Sequence, residues 1–446
     1  MTVSTRADVA RLFGRAAFGA TAADLDRWTG QPYEAAVEHL LAVPAIDGRP
    51  LSLDEAKRAL LENGTVGILD EAQRWWLERM RITAYPLEER LTLLWHDHFA
   101  TAYRIEGGPY AYDLVAQNQV LRRHALGNFR TMCEDVTVDT AMIIWLDAED
   151  STRRAVNENY AREFFELFTL GVRPQRYTET DIREAARAFT GWIRDSSTHR
   201  GRFQTANHDS NPKVILGRPV GNLGANEYKE VVDIAVDQLV APLFVAGKLV
   251  TGLAYEVRSQ DLIADPDPLV NKVAAALAPN WDLKAGVRAL LLADEFRYAD
   301  PATGHQLVRS PVELVVHIAK ALGFSLDSTA VLQVLRRMAQ VPFEPPNVGG
   351  WPGGEHWLTT ATTIARYDWG VTANGQFNAA SPLTKTALPA SGDLAGWVRR
   401  LGLAGLNPNT EAAVGSYLAS RATAAEAEKQ TGVMILLASS PDFGVM

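Results

Sequence analysis

The segment with the strongest chemical signal carries two glutamates and an arginine at helical spacing. Residues 157–167 read NENYAREFFEL. On a helix with about 100° per residue, Asn159, Glu163 and Glu166 project from one side. Arg162 lies beside them, and the aromatic residues lie opposite. Two carboxylates three residues apart can bind one divalent cation or raise each other's pKa for acid–base chemistry. The alternative is a solvated polar face whose charges pair with one another.

Two histidines lie two positions apart in residues 92–99, which read TLLWHDHF. On a strand, His96 and His98 would share a face and could chelate one ion, whereas on a helix they point about 160° apart. The surrounding apolar spacing is helical and includes His98. We therefore expect His98 to face the interior as a metal ligand or catalyst, with His96 joining it only if the helix ends there. The alternative is a core histidine that a hydrogen bond satisfies.

A third polar group, His208, Asp209 and Lys213, lies in a stretch without helical periodicity. Loops carry function more often than the interiors of regular elements do. These residue types supply a general base, a carboxylate to orient it and a cation for an anionic group. The alternative is a turn in which Asp209 and Asn211 cap backbone amides.

Two tryptophans accompany a rigid segment rich in proline and glycine. Residues 345–354 read PPNVGGWPGG, and Trp357 follows Trp351 at a distance of six residues. The two indoles could line a ligand pocket or simply cover the core. Arg309 is an isolated cation beside an apolar helix, and it is either part of a buried ion pair or a contact for an anionic substrate.

Helical periodicity covers most of the chain, and alternating strand patterns are scarce. We predict an all-α protein, a multi-helix globular bundle with a small irregular or β-hairpin insertion near 194–224. Thr178 and Asp181 have capping-box spacing, which predicts a helix over Glu179–Phe189. In the insertion, residues 202–205 and 213–216 are candidate partners in a hairpin.

The changes in pattern suggest five regions that pack as one compact body. The first carries both the two-histidine segment and the paired glutamates, and the third ends in the tryptophan segment. The predicted regions are 1–193, the irregular loop 194–226, a second helical region 227–371, a linker 372–392 and C-terminal helices 393–446.

Composition excludes several classes of protein. The 446 residues include 44 Lys and Arg against 53 Asp and Glu, for a net charge of −9, which disfavours sequence-independent nucleic-acid binding. The single cysteine, Cys133, excludes an internal disulfide. No phosphate-binding glycine loop appears, so no nucleotide cofactor is expected. No apolar run is long enough to span a bilayer and no secretory signal is visible, so we expect a cytoplasmic protein.

Further segments complete a resemblance that runs from about residue 8 to about residue 440. They are Arg11–Gly19, His124–Phe129, Tyr177–Trp192, Arg309–Glu313 and Pro345–Trp357. In order and character, these and the segments above resemble a large bacterial family catalogued as domain of unknown function 1800. The resemblance implies a mainly helical protein. It also implies a protein partner, because many members are exported and encoded beside a second uncharacterised family of sulfatase-like character.

The functional hypothesis is a metal-dependent enzyme that hydrolyses or oxidises a small anionic or polar substrate in a helical core. A mixed set of histidine and carboxylate ligands suits iron, manganese, zinc or copper. The expected metal ligands are His98, His96, Glu163, Glu166 and His208. The expected catalytic groups besides them are Asp209, Arg162 and Lys213, and the expected substrate contacts are Asn159, Arg309, Trp351 and Trp357.

Two alternatives stay open. In the first, Glu163, Glu166 and His208 are metal-free acid–base catalysts, for instance of a glycosidase in which Trp351 and Trp357 stack on sugars. In the second, the chain is a non-catalytic binding or assembly protein, and its polar cluster is a buried network that fixes helix packing.

Overall fold

In a computed structural model of the chain, the residues described are 2–44, 69–104, 106–173, 175–195, 198, 200–259, 261–298, 306–380 and 387–446. They form 22 α-helices and two small antiparallel sheets, which confirms the predicted all-α class with a small hairpin insertion. The first eight helices are α1 Arg6–Ala16, α2 Ala22–Trp28, α3 Tyr33–Leu41, α4 Leu69–Ile82, α5 Pro86–His98, α6 Ala111–His124, α7 Phe129–Thr137 and α8 Thr140–Trp145.

The remaining helices continue to the end of the chain. The next seven are α9 Asn159–Glu163, α10 Glu179–Phe189, α11 Glu227–Val236, α12 Ala241–Leu253, α13 Pro268–Leu277, α14 Leu283–Leu292 and α15 Asp294–Arg297. The last seven are α16 Pro311–Leu322, α17 Thr329–Arg337, α18 Thr360–Ala379, α19 Leu394–Arg400, α20 Pro408–Ser420, α21 Glu426–Ala438 and α22 Pro441–Gly444. A π-helix over Phe164–Thr169 continues directly from α9. Short 3₁₀ turns cover Ala148–Asp150, Thr205–Asn207, Gly224–Asn226 and Gly354–Leu358.

The insertion contains two separate hairpins. Strand β1 (Trp192–Asp195) pairs with β2 (Arg200–Phe203), and β3 (Lys213–Ile215) pairs with β4 (Arg218–Val220). The predicted pairing of 202–205 with 213–216 is therefore wrong, because each of those strands pairs with its own neighbour in sequence. Local hairpins close the shortest loops, which costs less chain entropy than a longer connection.

Two hydrophobic cores meet at α5. Leu91 and Trp95 of this helix belong to the first core and Leu93 belongs to the second, and all three side chains are buried. An α-helix that is apolar on more than one side is covered on more than one side. This position explains why both His96 and His98 are buried although they point in different directions.

Helix ends follow the predicted capping chemistry. Thr178 accepts a hydrogen bond from the Asp181 amide, and the Asp181 carboxylate accepts one from the Thr178 amide, so α10 begins at the predicted residue. The helix also ends at Phe189, as predicted. Ser310 and Glu313 form the same reciprocal cap at the start of α16. Each such cap satisfies two amides that the first helical turn leaves without partners.

The cores do not follow the predicted regions. The first core extends from Val9 to Phe296, and the second from Phe18 to Phe443, so both combine distant parts of the chain. Helix α18 also continues to Ala379, past residue 372 where the linker was predicted to begin. Among the described residues, no single helix is long and apolar enough to cross a membrane. The pair formed by residues 224–236 and 241–253 reaches that length and hydropathy only across an 80° bend.

Candidate functional site

A cavity of about 240 Å³ opens between α5 and α12. The start of α16 and the proline- and glycine-rich residues 349–354 close its other sides. Its ionisable and aromatic lining residues are Arg90, Asp97, His98, Lys248, Glu313, Trp351 and Trp357. The cavity thus combines acids, bases and cations with an apolar wall, which is the usual composition of a site for a small molecule.

Asp97 lies between the two histidines near the end of α5. Its Oδ1 accepts a hydrogen bond from the backbone N–H of Trp351 at 2.7 Å. Burial raises the pKa of the Asp97 carboxyl to about 6, while that hydrogen bond and the cations Lys248 and Arg90 oppose the rise. Near pH 6 both the acid and the carboxylate are therefore populated, so this group can give or take a proton.

Glycine is required where residue 350 approaches Asp97. Gly350 has φ +81°, and a Cβ there would overlap both the Asp97 carboxylate and its carbonyl oxygen. Only glycine adopts this backbone conformation at little cost and leaves the space free. The glycine-rich segment thus brings the Trp351 amide onto Asp97.

His98 presents an unpaired nitrogen. Its Nε2 lies 3.0 Å from the carbonyl oxygen of Phe168, which can only accept, so Nε2 carries the proton and donates. The other ring nitrogen, Nδ1, is buried and has no hydrogen-bond partner among the described residues. Burial, with a smaller effect of Lys248, lowers the pKa of His98 to about 3. His98 is therefore neutral near pH 7, and its Nδ1 is a free acceptor.

The π-helix supplies the carbonyl that fixes this tautomer. Phe168 is the residue before the last of the π-helix, and the final carbonyls of a helix lack intrahelical partners. The Thr169 hydroxyl donates to the Phe164 carbonyl at 2.6 Å and stabilises the widened turn. The C-terminal end of the segment that carries Glu163 and Glu166 thus orients His98 through its backbone.

Lys248 enters the cavity from α12. Its side chain is exposed, and its Nζ lies 5.4 Å from the centre of the Phe244 ring. The surrounding protein lowers the pKa of Lys248 by desolvation, and the nearby Asp97 opposes this effect. An exposed ammonium that lines a cavity attracts a negative group of a ligand.

A buried ion pair forms one side of the cavity. Arg90 Nε lies 2.9 Å from Glu313 Oε1. The guanidinium also donates to the carbonyl of Gly252 at 2.5 Å, and Glu313 Oε2 accepts from the Ser310 amide at 2.8 Å. These bonds join α5, α12 and α16 around the cavity. The two charges neutralise each other.

Both predicted tryptophans line this cavity. Trp351 and Trp357 are almost fully buried. Trp357 holds its place through its carbonyl, which accepts from the Thr362 hydroxyl at 2.9 Å and from Arg366 Nε at 3.1 Å. The two indoles therefore form a fixed apolar wall opposite the charged groups.

The paired glutamates lie outside this cavity lining. Glu163 and Glu166 are half-buried, and burial followed by the charge of Glu166 raises the pKa of Glu163. Arg162 pairs with Glu179 at 2.7 Å, Glu158 at 3.3 Å and Glu166 at 3.6 Å. Asn159 is exposed, and its backbone amide donates to Asn157 Oδ1 at 2.9 Å. The structure brings the two glutamates and Arg162 together as predicted, in a surface network.

His208 and Lys213 meet at Glu227, a residue that sequence reasoning did not single out. His208 Nδ1 donates to the Thr190 carbonyl at 2.9 Å, and Nε2 lies 3.2 Å from Glu227 Oε2. Burial lowers the pKa of His208, but its bonds to Glu227 and Thr190 outweigh burial, and the net shift is upward. Lys213 pairs with Glu227 Oε1 and donates to two backbone carbonyls.

Asp209 is held separately within the same loop. It pairs with Arg187 at 2.8 Å and accepts from the backbone amide and side chain of Asn211. Asp209 thus caps a backbone amide as the turn alternative predicted, whereas the Asn211 side chain donates to Asp209. Burial alone would raise the pKa of Asp209, but Arg187 and the Asn211 hydrogen bonds together hold this pKa well below its usual range. We name the group formed by His208, Asp209, Lys213 and Glu227 the insertion network.

His96 and Arg309 have structural partners. His96 Nε2 accepts from the Phe343 amide at 3.1 Å, on the side of α5 that faces Trp76 and Phe343. Arg309 Nε donates to the Phe443 carbonyl at 2.8 Å and joins the start of α16 to α22.

The predicted metal donors do not form a ligand set. In the part of the chain that the structure describes, no group of three or more His, Cys, Asp or Glu side chains could hold a metal ion. His98 uses Nε2 on a backbone carbonyl, and both nitrogens of His208 are engaged. The donors present here do not fit a metal centre.

Sequence reasoning missed Asp97 and Lys248. Asp97 stands between the two histidines, and its position near the C-terminal end of an apolar helix was a usable signal. Lys248 is a lone cation in the apolar stretch of α12, which gives no indication of what it faces.

A helical body around two joined cores, with a polar cavity beside the helix that both cores share, is the class of protein that this fold defines. The chain belongs to the family described as protein of unknown function (DUF1800), whose model matches residues 11–445. No curated protein and no solved structure gives a significant match.

Proposed function

We propose that the cavity between α5 and α12 is the active site of an acid–base enzyme acting on a small polar molecule. The observation that supports this proposal is the convergence of Asp97, His98 and Lys248 on one cavity. Among them are a carboxyl with a pKa of about 6 and a buried nitrogen that has no hydrogen-bond partner in the described part of the chain. Perturbed ionisable groups in a cavity are typical of catalytic sites.

Each group has a role that its contacts define. Asp97 transfers the proton, since it is populated in both forms near pH 6. Lys248 stabilises negative charge on the substrate, because an ammonium that lines the cavity is placed to pair with an anionic group. His98 accepts a hydrogen bond at Nδ1 and so orients the substrate. Trp351 and Trp357 hold its apolar part and exclude water.

The test is a turnover screen. The purified chain is incubated with a mixture of small hydroxylated, carbonyl and carboxylate compounds, and proton NMR follows their conversion. We expect Asp97→Asn to lower the rate about 10²- to 10⁴-fold, as is typical when a general acid or base is removed. The wild-type rate should depend on pH, with an inflection near pH 6.

Matched controls keep the result interpretable. Asp265→Asn changes an exposed carboxylate and should leave the rate unchanged. Circular dichroism establishes that each variant is folded. An unchanged rate in Asp97→Asn contradicts the proposal, and binding without any turnover favours a non-catalytic binding protein.

A further inference from the structure

The charges that face the cavity leave one cation without an ion-pair partner. Arg90 and Glu313 neutralise each other at 2.9 Å. Lys248 forms no such pair within the described residues, and the nearest carboxylate that influences it is Asp97. Lys248 is therefore the cation of this cavity that is left to pair with a ligand. An anion is the ligand that balances it.

His98 is the second group in the cavity lining that the described residues leave without a partner, and it needs a hydrogen-bond donor. His98 is 5% exposed, and its Nδ1 has no partner among the described residues. A buried acceptor without a partner costs free energy until a ligand donor reaches it. Because Nε2 already donates to Phe168, Nδ1 can only accept. Because His98 lines the cavity, a ligand that carries an O–H or N–H group can satisfy this acceptor.

The size and the apolar wall of the cavity limit the rest of the ligand. Its volume of about 240 Å³ lies below the range of about 300–1,000 Å³ that is usual for drug-sized ligands. Trp351 and Trp357 provide an apolar surface for a short hydrocarbon part.

From these features we infer that the substrate of this site is a small carboxylate that carries a hydroxyl or amino group. Its carboxylate pairs with Lys248, and its hydroxyl or amino hydrogen bonds to His98 Nδ1. This inference rests on the proposed function, because it assigns the substrate class of the same cavity.

The experiment measures binding with three probes of similar size, using ligand-observed NMR on the full chain. Lactate has both groups, propionate lacks the hydroxyl and 1,2-propanediol lacks the carboxylate. We expect lactate to bind about fivefold more tightly than propionate, the value of one ordinary hydrogen bond. Propanediol should bind at least about tenfold more weakly than lactate, since it lacks the charge that pairs with Lys248.

Two variants assign the contacts. Lys248→Met should weaken lactate binding about tenfold or more without changing propanediol, and Lys248→Arg should restore the preference for carboxylates. His98→Phe should make lactate and propionate equal. Lys272→Met is the matched control, since Lys272 pairs with Glu295 at the surface.

The inference is overturned if propanediol binds as well as lactate, if Lys248→Met retains wild-type lactate binding, or if none of the three probes binds. Its failure is distinguishable from failure of the proposed function. Turnover of a neutral compound that depends on Asp97 would overturn only the substrate class. Tight carboxylate binding without turnover of any compound would overturn only the proposal that the protein is an enzyme.

Discussion

The insertion network and the cavity contain the same kinds of residue, a histidine, a lysine and carboxylates, yet they differ in how their polar atoms are satisfied. In the insertion network, both nitrogens of His208 have partners and Lys213 has three acceptors. In the cavity, His98 has an unpaired Nδ1 and Lys248 has no ion-pair partner among the described residues. Complete satisfaction indicates a structural role, and unpaired groups beside a cavity indicate a site for a ligand.

The two histidines report this difference through opposite pKa shifts. Burial lowers the pKa of both side chains. At His208 the bonds to Glu227 and to the Thr190 carbonyl reverse the shift, whereas at His98 no carboxylate compensates and the pKa is about 3. The bonds of His208 thus serve the fold. The neutral ring of His98 keeps an acceptor available.

The largest effect on stability is expected from Glu227→Gln. This change removes the carboxylate that Lys213 and His208 share, and it leaves Lys213 buried without a counter-charge. Breaking a buried ion pair costs about 3–5 kcal/mol. Urea denaturation measures this loss in the free energy of unfolding.

Glu230→Gln is the control, because it changes a half-buried glutamate on the same helix α11. If Glu227→Gln were as stable as this control, the insertion network would not be the structural element described here. If it also abolished ligand binding in the cavity while staying folded, the two regions would be coupled.

A smaller effect on the free energy of unfolding, of opposite sign, is expected in the cavity from Asp97→Asn. The folded-state pKa of about 6 lies above the ordinary aspartate value, so the native state binds this proton more tightly than the unfolded chain. Wild-type stability therefore falls as pH rises from about 4 to about 6. Asparagine cannot ionise and can still accept the Trp351 amide.

We expect Asp97→Asn to be about 3 kcal/mol more stable than the wild type above pH 6 and equal to it near pH 4, since the pKa is raised by about two units and each unit is worth about 1.4 kcal/mol. Thermal denaturation at a series of pH values measures the difference. A loss of stability at pH 7 would show that the Asp97 charge stabilises the fold, and the contrast with the insertion network would disappear.

Local signals in the sequence predicted the helices well. The cap formed by Thr178 and Asp181 set the start of α10, and the apolar spacing around His98 correctly indicated that this side chain faces the interior. Both signals depend on near neighbours in the chain. The π-helix over Phe164–Thr169 has no comparable signature, because it depends on packing against the rest of the core.

Spacing alone could not indicate which polar groups share a site. It placed Glu163 and Glu166 on one helix face, but whether another element covers that face depends on tertiary packing. Lys248 and Asp97 are 151 positions apart, and only the contact of α12 with α5 brings them to the same cavity. The tryptophan segment offered the best clue, since Trp351 and Trp357 line the cavity as one of the two interpretations held.

The smallest effect is expected at the paired glutamates, from Arg162→Ala. Arg162 is partly exposed and pairs with Glu158, Glu166 and Glu179. An exposed ion pair contributes about 0.2–1 kcal/mol, contributions that share one guanidinium do not add in full, and salt screens them. We therefore expect a loss of no more than about 1 kcal/mol in urea denaturation, most of which disappears in 1 M salt (a Debye length of about 3 Å). Turnover and lactate binding should be unchanged, because this network does not line the cavity. A loss of turnover in folded Arg162→Ala would instead return the chemistry to Glu163 and Glu166, where the sequence alone first suggested it.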